Sequence, residues 1–328
     1  MQPTFSIVVP VFNVGGELDR AISSVKNQTF ADWELILVDD GSIDGSSVMV
    51  DQAAASDKRI RAVHKKNEGV VVARQRGYEC SSGEWILFLD GDDELSRDCL
   101  SKLVNVISEY CVELIQFGYR CVQLDGRETE SIPRVSGLED RDLLLAGFKN
   151  SPLNDVGMCI WNKCYRRDIV KTTFMDVGDV RISHSEDGLF AFAALLHAAK
   201  LFFIPECLYV YILRANSALR RVNVKIVEEK ELFLSRLYTL AVRSMCMNKD
   251  QISRMLEFHS YEACCYIFLM LQRNGAKWWE IKMVLSQLQH AKFFLLHNPQ
   301  FNSLRRKVMR WLLHCPKIYW SITRLIAI

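Results

Sequence analysis

Several features that would mark a secreted, zinc-bearing or membrane-spanning protein are missing from this sequence. Its 11 cysteines are scattered, odd in number and include no C-x-x-C pair, which argues against both a structural zinc site and a disulfide framework. No stretch approaches the roughly 20 consecutive apolar residues needed to cross a bilayer. The amino terminus, MQPTFSIVVPVF, has neither the basic start nor the long apolar core of a secretory leader, and a β-strand accounts for it better. The expectation is a protein of a reducing cytosol whose thiols serve as packing residues. No G-x-G-x-x-G follows the first apolar run and no G-x-x-x-x-G-K-[ST] occurs anywhere, so a dinucleotide dehydrogenase and a P-loop NTPase are disfavoured. Acidic residues stop at Glu280, while eight Lys and Arg follow it. Removing those eight from the 41 bases leaves 33 against 39 acids, so residues 1–280 carry about −6 although the whole chain is +2.

What is present is a chain of 328 residues, 49% hydrophobic and 24% charged, ample for one large domain or two smaller ones. Its first part alternates strand and helix. Apolar runs at 5–13, 34–38, 60–64 and 85–89 read as strands, with helical spacing at 17–28 through Leu18, Ala21, Ile22 and Val25, to about Ser56 after a cap at Ser42, Asp44 or Ser46, and at 68–81. That rhythm predicts a largely parallel sheet covered on both faces. A further strand is expected at 112–119, a loop-rich stretch at 125–160, a helix within 182–199, and a strand at 201–213 with Pro205 as a breaker. From about Val222 the pattern is helical, including Ile281, Val284, Leu285 and Leu288.

The most informative segment is WILFLDGDDEL, residues 85–95, where an apolar strand runs into Asp90, Asp92 and Asp93. Carboxylates crowded where a strand leaves an open α/β sheet suit a hard divalent cation bridging to a diphosphate; the alternative is a solvated acidic turn before a helix that starts near Ser96. The second strand also ends in acids, Asp39 and Asp40, and the first in Pro10-Val11-Phe12-Asn13, so three strand ends gather on one sheet edge.

Six ordered segments, IVVPVFN (7–13), SSVKNQTFADWELILVDDGSIDGS (23–46), NEGVVVARQRG (67–77), SGEWILFLDGDDEL (82–95), WNKCYRR (161–167) and SEDGLFAF (185–192), together resemble the inverting glycosyltransferases of family 2. The resemblance runs from about residue 5 to 216. It implies a GT-A fold, an α/β Rossmann-like sheet, over residues 1–220, with a nucleotide-binding half at 1–115 and an acceptor-side half at 116–220, followed by a helical basic region at 221–328. It implies transfer of a sugar from a nucleotide diphosphate, most often UDP, to a hydroxyl of a cell-surface glycan. Carried over by position, Pro10, Phe12 and Asn13 line the nucleotide pocket, Asp39 or Asp40 contacts uracil, and Arg74 lies by the diphosphate. Asp92, with Asp90, holds Mn²⁺ or Mg²⁺, and Asp90 also serves the ribose. Asp93 is an acid on the acceptor side or behind the metal, and Arg214 matches a position near the phosphates. Asp187 is the expected base, with Glu186 as its alternative, and Trp161 the expected stacking platform for acceptor sugar, a buried core tryptophan being its other reading. Val70, Val71 and Gln75 depart from the family pattern.

The tail interleaves Arg305, Arg306, Lys307 and Arg310 with bulky apolar residues. This suits docking on an anionic membrane face, where lipid-linked acceptors are presented; packing on the catalytic domain is the alternative. The expected location is cytoplasmic, peripheral on the inner face of the cytoplasmic membrane, with no nucleic-acid partner. A catalytically silent partner in glycan assembly and a sugar nucleotidyltransferase remain as other readings of the whole.

Overall fold

Strand β1 (Phe5–Val11) lies between β2 (Trp33–Asp39) and β4 (Trp85–Phe88), parallel to both, and β3 (Ile60–His64) extends the parallel set beyond β2. The computed structural model describes residues 2–148, 151–178, 185–214 and 226–273. All seven residues of β2 and all four of β4 are buried, as strands covered on both faces must be. Helices α1 (Leu18–Lys26), α2 (Ser46–Ser56) and α3 (Val70–Cys80) connect these strands. Helix α1 buries Leu18, Ala21, Ile22 and Val25, the residues whose spacing predicts it. Helix α3 sits close enough to the sheet that a Cβ on Gly77 would come within 2.3 Å of Val8 Cγ1 and 3.0 Å of Val38 Cγ2, so only glycine fits there.

Beyond β4 the sheet turns mixed. Its order among the described residues is β3-β2-β1-β4-β9-β6-β10-β5, with β7 (Glu128–Ser131) added to β6 and β8 (Gly137–Asp140) to β10. Strand β9 (Lys163–Arg166) is antiparallel to both β4 and β6 (Leu114–Val122), whereas β6 and β10 (Lys200–Ile212) run parallel. The short β5 (Glu94–Leu95) pairs antiparallel with β10. Helices α4 (Cys99–Glu109), α5 (Arg141–Gly147), α6 (Leu153–Val156), α7 (Arg167–Val177) and α8 (Glu186–His197) complete this part.

Two expectations are corrected. The stretch 125–160 is not simply loop, since it carries β7, β8, α5 and α6. Pro205 does not break β10; the strand absorbs it through register shifts between Ile204 and Cys207 and between Cys207 and Tyr209, as a bulge allows. Strand β9 and helix α7 were not expected at all.

Helix α8 buries every residue from Gly188 to Leu196. Its Phe190 meets Phe88, Tyr165 and Phe174 at centroid distances of 5.6, 5.7 and 5.0 Å with steep interplanar angles, the edge-to-face packing that aromatic quadrupoles favour. This cluster fixes the start of α8 relative to the end of β4.

The chain divides into two compact units, the first comprising 1–147, 153–181 and 186–217, the second 148–152, 182–185 and 218–328. In the second, α9 (Ile226–Ser244) and α10 (Lys249–Arg273) pack together through residues such as Phe233, Leu237, Met255 and Leu256, all buried. Buried His259 meets Ser151 Oγ at 2.8 Å and Glu262 at 3.1 Å. Among the described residues no helix is long and apolar enough to cross a membrane. The 281–288 periodicity and the basic tail lie outside the described residues.

Candidate active site

Parallel pairing brings the carboxyl ends of β1, β2 and β4 to one edge. Pro10 and Val11 stand in register with Val38 and Asp39, and Asp90 follows β4 after Leu89. Gly91 lets the acidic turn pass close to β1, since a Cβ there would lie 3.3 Å from the Pro10 carbonyl oxygen and 3.2 Å from Val14 Cγ2.

At the end of β1, Phe12 is 49% exposed, an open aromatic face beside the acids of β2. Asn13 adopts a left-handed conformation, φ 52°; its N–H donates to Ser42 Oγ and its side-chain oxygen accepts the Ile43 N–H at 2.8 Å. This ties the β1 end to the turn after β2. Asp39 accepts the Ser42 N–H at 2.9 Å and meets His64 Nδ1 at 3.0 Å. Burial pushes its carboxyl up, but bonds from Ser42, His64 and Ser47 outweigh this and hold it below its ordinary value. Asp40 accepts from Lys65 Nζ at 2.6 Å and from the Glu68 and Gly69 N–H groups at 3.0 and 2.8 Å. Three donors leave it less acceptor capacity than Asp39; it holds the entry to α3.

The second acid cluster is poorer in donors. Burial and the neighbouring Asp90 raise Asp92, opposed by Arg214, its Nε 3.2 Å from the carboxylate, and by a backbone hydrogen bond. Asp93 is buried and accepts from the Tyr209 hydroxyl at 2.7 Å and the Ile212 N–H at 2.9 Å, yet burial with Asp90 and Asp92 nearby pushes it up to about 8. Tyr209 also receives the Asp90 N–H at 3.2 Å, so one hydroxyl links two of the acids.

Arg74, 4% exposed, joins the two sides of the site: one terminal nitrogen donates to Asp90 at 2.9 Å and the other to Asp187 at 2.6 Å. Its Nε is buried without a partner among the described residues. Burial raises Asp187, with Arg74 opposing the rise, while Glu186 beside it is pushed up to about 7 by burial and by Asp187. Behind them Lys163 is fully buried, its Nζ donating to the Cys159 carbonyl at 2.6 Å and to Asn162 at 2.8 Å; burial pushes it down to about 8.

Residues 6–174 match the sequence profile described as glycosyl transferase family 2. The chain belongs to glycosyl transferase family 2. It is 28% identical over 232 residues to EpsH of Bacillus subtilis (strain 168), assigned as a glycosyltransferase; the match covers 69% of this chain and spans only 65% of EpsH. The fold is that of S. aureus TarS 1-349, solved in complex with UDP-GlcNAc, with a TM-score of 0.62 at 17% identity over 89% of this chain and 88% of that one. A mannosyltransferase from Pyrobaculum calidifontis, PcManGT, solved with GDP-Man and Mn²⁺, aligns with a TM-score of 0.51 at 15% identity, covering 98% of this chain and 84% of that chain. The architecture is therefore the GT-A fold of this family.

Within this family 2 chain, Pro10, Phe12, Asn13, Asp39, Asp40, Arg74, Asp90, Asp92, Asp93, Glu186 and Asp187 fall on the sheet edge or beside it. Trp161 stands differently from its expected position as a sugar platform: it is 7% exposed, with Tyr209 and Tyr211 stacked on it at 4.5 and 5.6 Å and Tyr119 against its edge. An indole so covered offers no face to a sugar ring. Sequence reasoning assigned nothing to Tyr209, Lys163 or His64; alternation of Tyr209 and Tyr211 along β10 was the one visible signal.

The donor set suits a divalent ion. No group of three or more His, Cys, Asp or Glu among the described residues is arranged to hold a metal, but Mg²⁺ and Mn²⁺ in nucleotide sites usually bind through one or two carboxylates and complete their shell with phosphate oxygens and water. Asp90 and Asp92, crowded beside Asp93 with one arginine each, Arg74 and Arg214, provide such a pair.

Proposed function

We propose that this chain is an inverting glycosyltransferase that moves a sugar from a UDP-sugar to a hydroxyl of a cell-surface glycan acceptor. The observation that carries the reading is the Arg74 bridge, which holds a carboxylate of the acidic turn, Asp90, and the acid at the start of α8, Asp187, on one guanidinium. A site that must bring a diphosphate leaving group and an acceptor proton to the same anomeric carbon needs that convergence.

In this mechanism the uracil imide N–H donates to Asp39, and Phe12 supplies an open aromatic face for the base. Arg74 presents a planar fork of donors to the diphosphate. Asp92 and Asp90 would hold Mn²⁺ or Mg²⁺, which when bound neutralises charge on the departing diphosphate. Asp187, oriented by Arg74, which opposes the rise that burial causes, accepts the acceptor hydroxyl proton. The acceptor oxygen bonds to the anomeric carbon as the bond to the UDP oxygen breaks on the opposite face, so the configuration inverts. Water exclusion comes from burial: Arg74, Tyr209 and Lys163 are all under 5% exposed. Glu186 is the second candidate base because burial and Asp187 push its carboxyl up to about 7, toward the range where general-base catalysis is most effective.

The test is thermal stabilisation of the wild-type chain and of Asp187→Asn by a panel of nucleotide diphosphates and nucleotide sugars, with Mn²⁺ and with chelator, alongside UDP release in transfer assays. Both proteins should be stabilised selectively by UDP and one UDP-sugar in the presence of metal, and only the wild type should release UDP. A wild-type rate in Asp187→Asn would move the base to Glu186; no stabilisation by any nucleotide would overturn the reading.

A further inference from the structure

His64 ends β3, the outer strand of the parallel set, in register with Asp39 on β2. Its ring is held between two carboxylates: Nδ1 lies 3.0 Å from Asp39 and Nε2 lies 2.9 Å from Asp51 on α2. Ser47 Oγ, also on α2, stands 3.3 Å from Nδ1. A neutral imidazole carries one N–H and one lone pair, so between two acceptors it can satisfy one carboxylate and must turn its lone pair on the other. The doubly protonated ring donates to both. The charged groups facing the ring are therefore Asp39 from β2 and Asp51 from α2; Lys65, next in the chain, turns instead to Asp40 and Glu68.

We infer that His64 is a positioning residue for recognition of the nucleotide base: as an imidazolium clamped by Asp51, it fixes the Asp39 carboxylate that accepts the base imide N–H. The inference rests on the donor reading above, since it needs Asp39 to meet the base. Asp39 is 3% exposed, and its two oxygens are set by the Ser42 N–H on one side and His64 on the other. Losing either donor frees the carboxylate to rotate away from the pocket. Asp51 is 66% exposed at its side chain and reaches no residue of the acidic turn in the described contacts, so its effect on the site passes through His64.

The bonds to Asp39 and Asp51 raise His64 above its ordinary value, with burial opposing. For a histidine raised in this way, the interaction is fully present below the ordinary value near 6.5 and is lost as pH rises through the raised one. Binding of the base should follow the same course.

The experiment is the dissociation constant of UDP at fixed Mn²⁺ from pH 6 to 8.5, for the wild type, His64→Gln and Asp51→Asn, with the His64 ring titrated by NMR in the first and last. Titration of the UDP phosphate itself is common to all three and cancels in the comparison. Wild-type affinity should fall about three- to tenfold relative to His64→Gln across the His64 titration. Asp51→Asn should bind as the wild type does at low pH but lose affinity at a lower pH, with the ring titration shifted by the same amount. UDP binding with one pH profile shared by all three proteins would overturn the role of His64 and leave the donor reading standing. No UDP binding at any pH would overturn both.

Discussion

Asp39 and Asp40 leave β2, and Asp90, Asp92 and Asp93 leave β4, at the same edge of one sheet, yet their carboxylates sit in opposite surroundings. The β2 pair is saturated with donors: two backbone N–H groups and a lysine on Asp40, and a backbone N–H and an imidazole on Asp39. The β4 cluster has fewer donors for more charge, so Asp92 and Asp93 are both raised. The difference teaches how one edge can serve two tasks. Fixed, satisfied acids offer a shaped acceptor for a neutral base, whereas three crowded acids facing only two arginines are poised for an ion that arrives with the substrate.

Breaking the unsatisfied cluster should have the largest effect. Asp92→Asn removes the charge and one ion pair, that with Arg214, but relieves a carboxylate raised by burial, so metal-dependent UDP release should fall by about 10²–10³, the cost typical of losing one electrostatic element of a polar active site, while the melting temperature without ligand stays about the same. Retained wild-type turnover would sink the metal assignment.

Arg74→Met tests the bridge between the two sides. It strands Asp90 and Asp187, whose side chains are 27% and 24% exposed. The expected loss is therefore about 2–3 kcal/mol in denaturant unfolding, under the 3–5 typical of wholly buried pairs. A loss under about 0.5 kcal/mol would show the bridge to be dispensable for folding. The smallest effect belongs to the satisfied pair: Asp40→Asn keeps one acceptor oxygen, so only one of the Glu68 and Gly69 N–H groups, which bond to different oxygens, keeps its partner, and the ionic bond to Lys65 is lost, which should cost about 1–2 kcal/mol. A stability loss larger than that of Arg74→Met would reverse the comparison.

Much of the parallel half is legible in sequence because its strands are continuous apolar runs and its helices carry a clear period: β3 spans 60–64 as read, and α1 buries the four residues that its spacing selects. Strand β9 escaped because KCYR carries two bases in four residues. Lys163 is nonetheless fully buried, made tolerable by the Cys159 carbonyl and Asn162, and no local pattern announces such partners. Pro205 signals a break, but a strand paired with β6 on both sides of it can absorb it as a bulge. Trp161 looks available from its neighbours in sequence and is covered by tyrosines some 40 to 50 residues away. The acids themselves were readable, since carboxylates after apolar strands are a local signal.

The sequence by itself determined the alternation of strands and helices, the acidic ends of β2 and β4 and the family to which six ordered segments point, because periodicity and motif spacing are properties of neighbouring residues. Tertiary structure alone decided which acids are satisfied and which are raised, that Trp161 is enclosed, that His64 stands between Asp39 and Asp51, and that Arg74 meets Asp187 across 113 residues of chain. Hydrogen-bond partnership and desolvation depend on which groups the fold brings within about 3 Å, and separation along the chain does not set that distance.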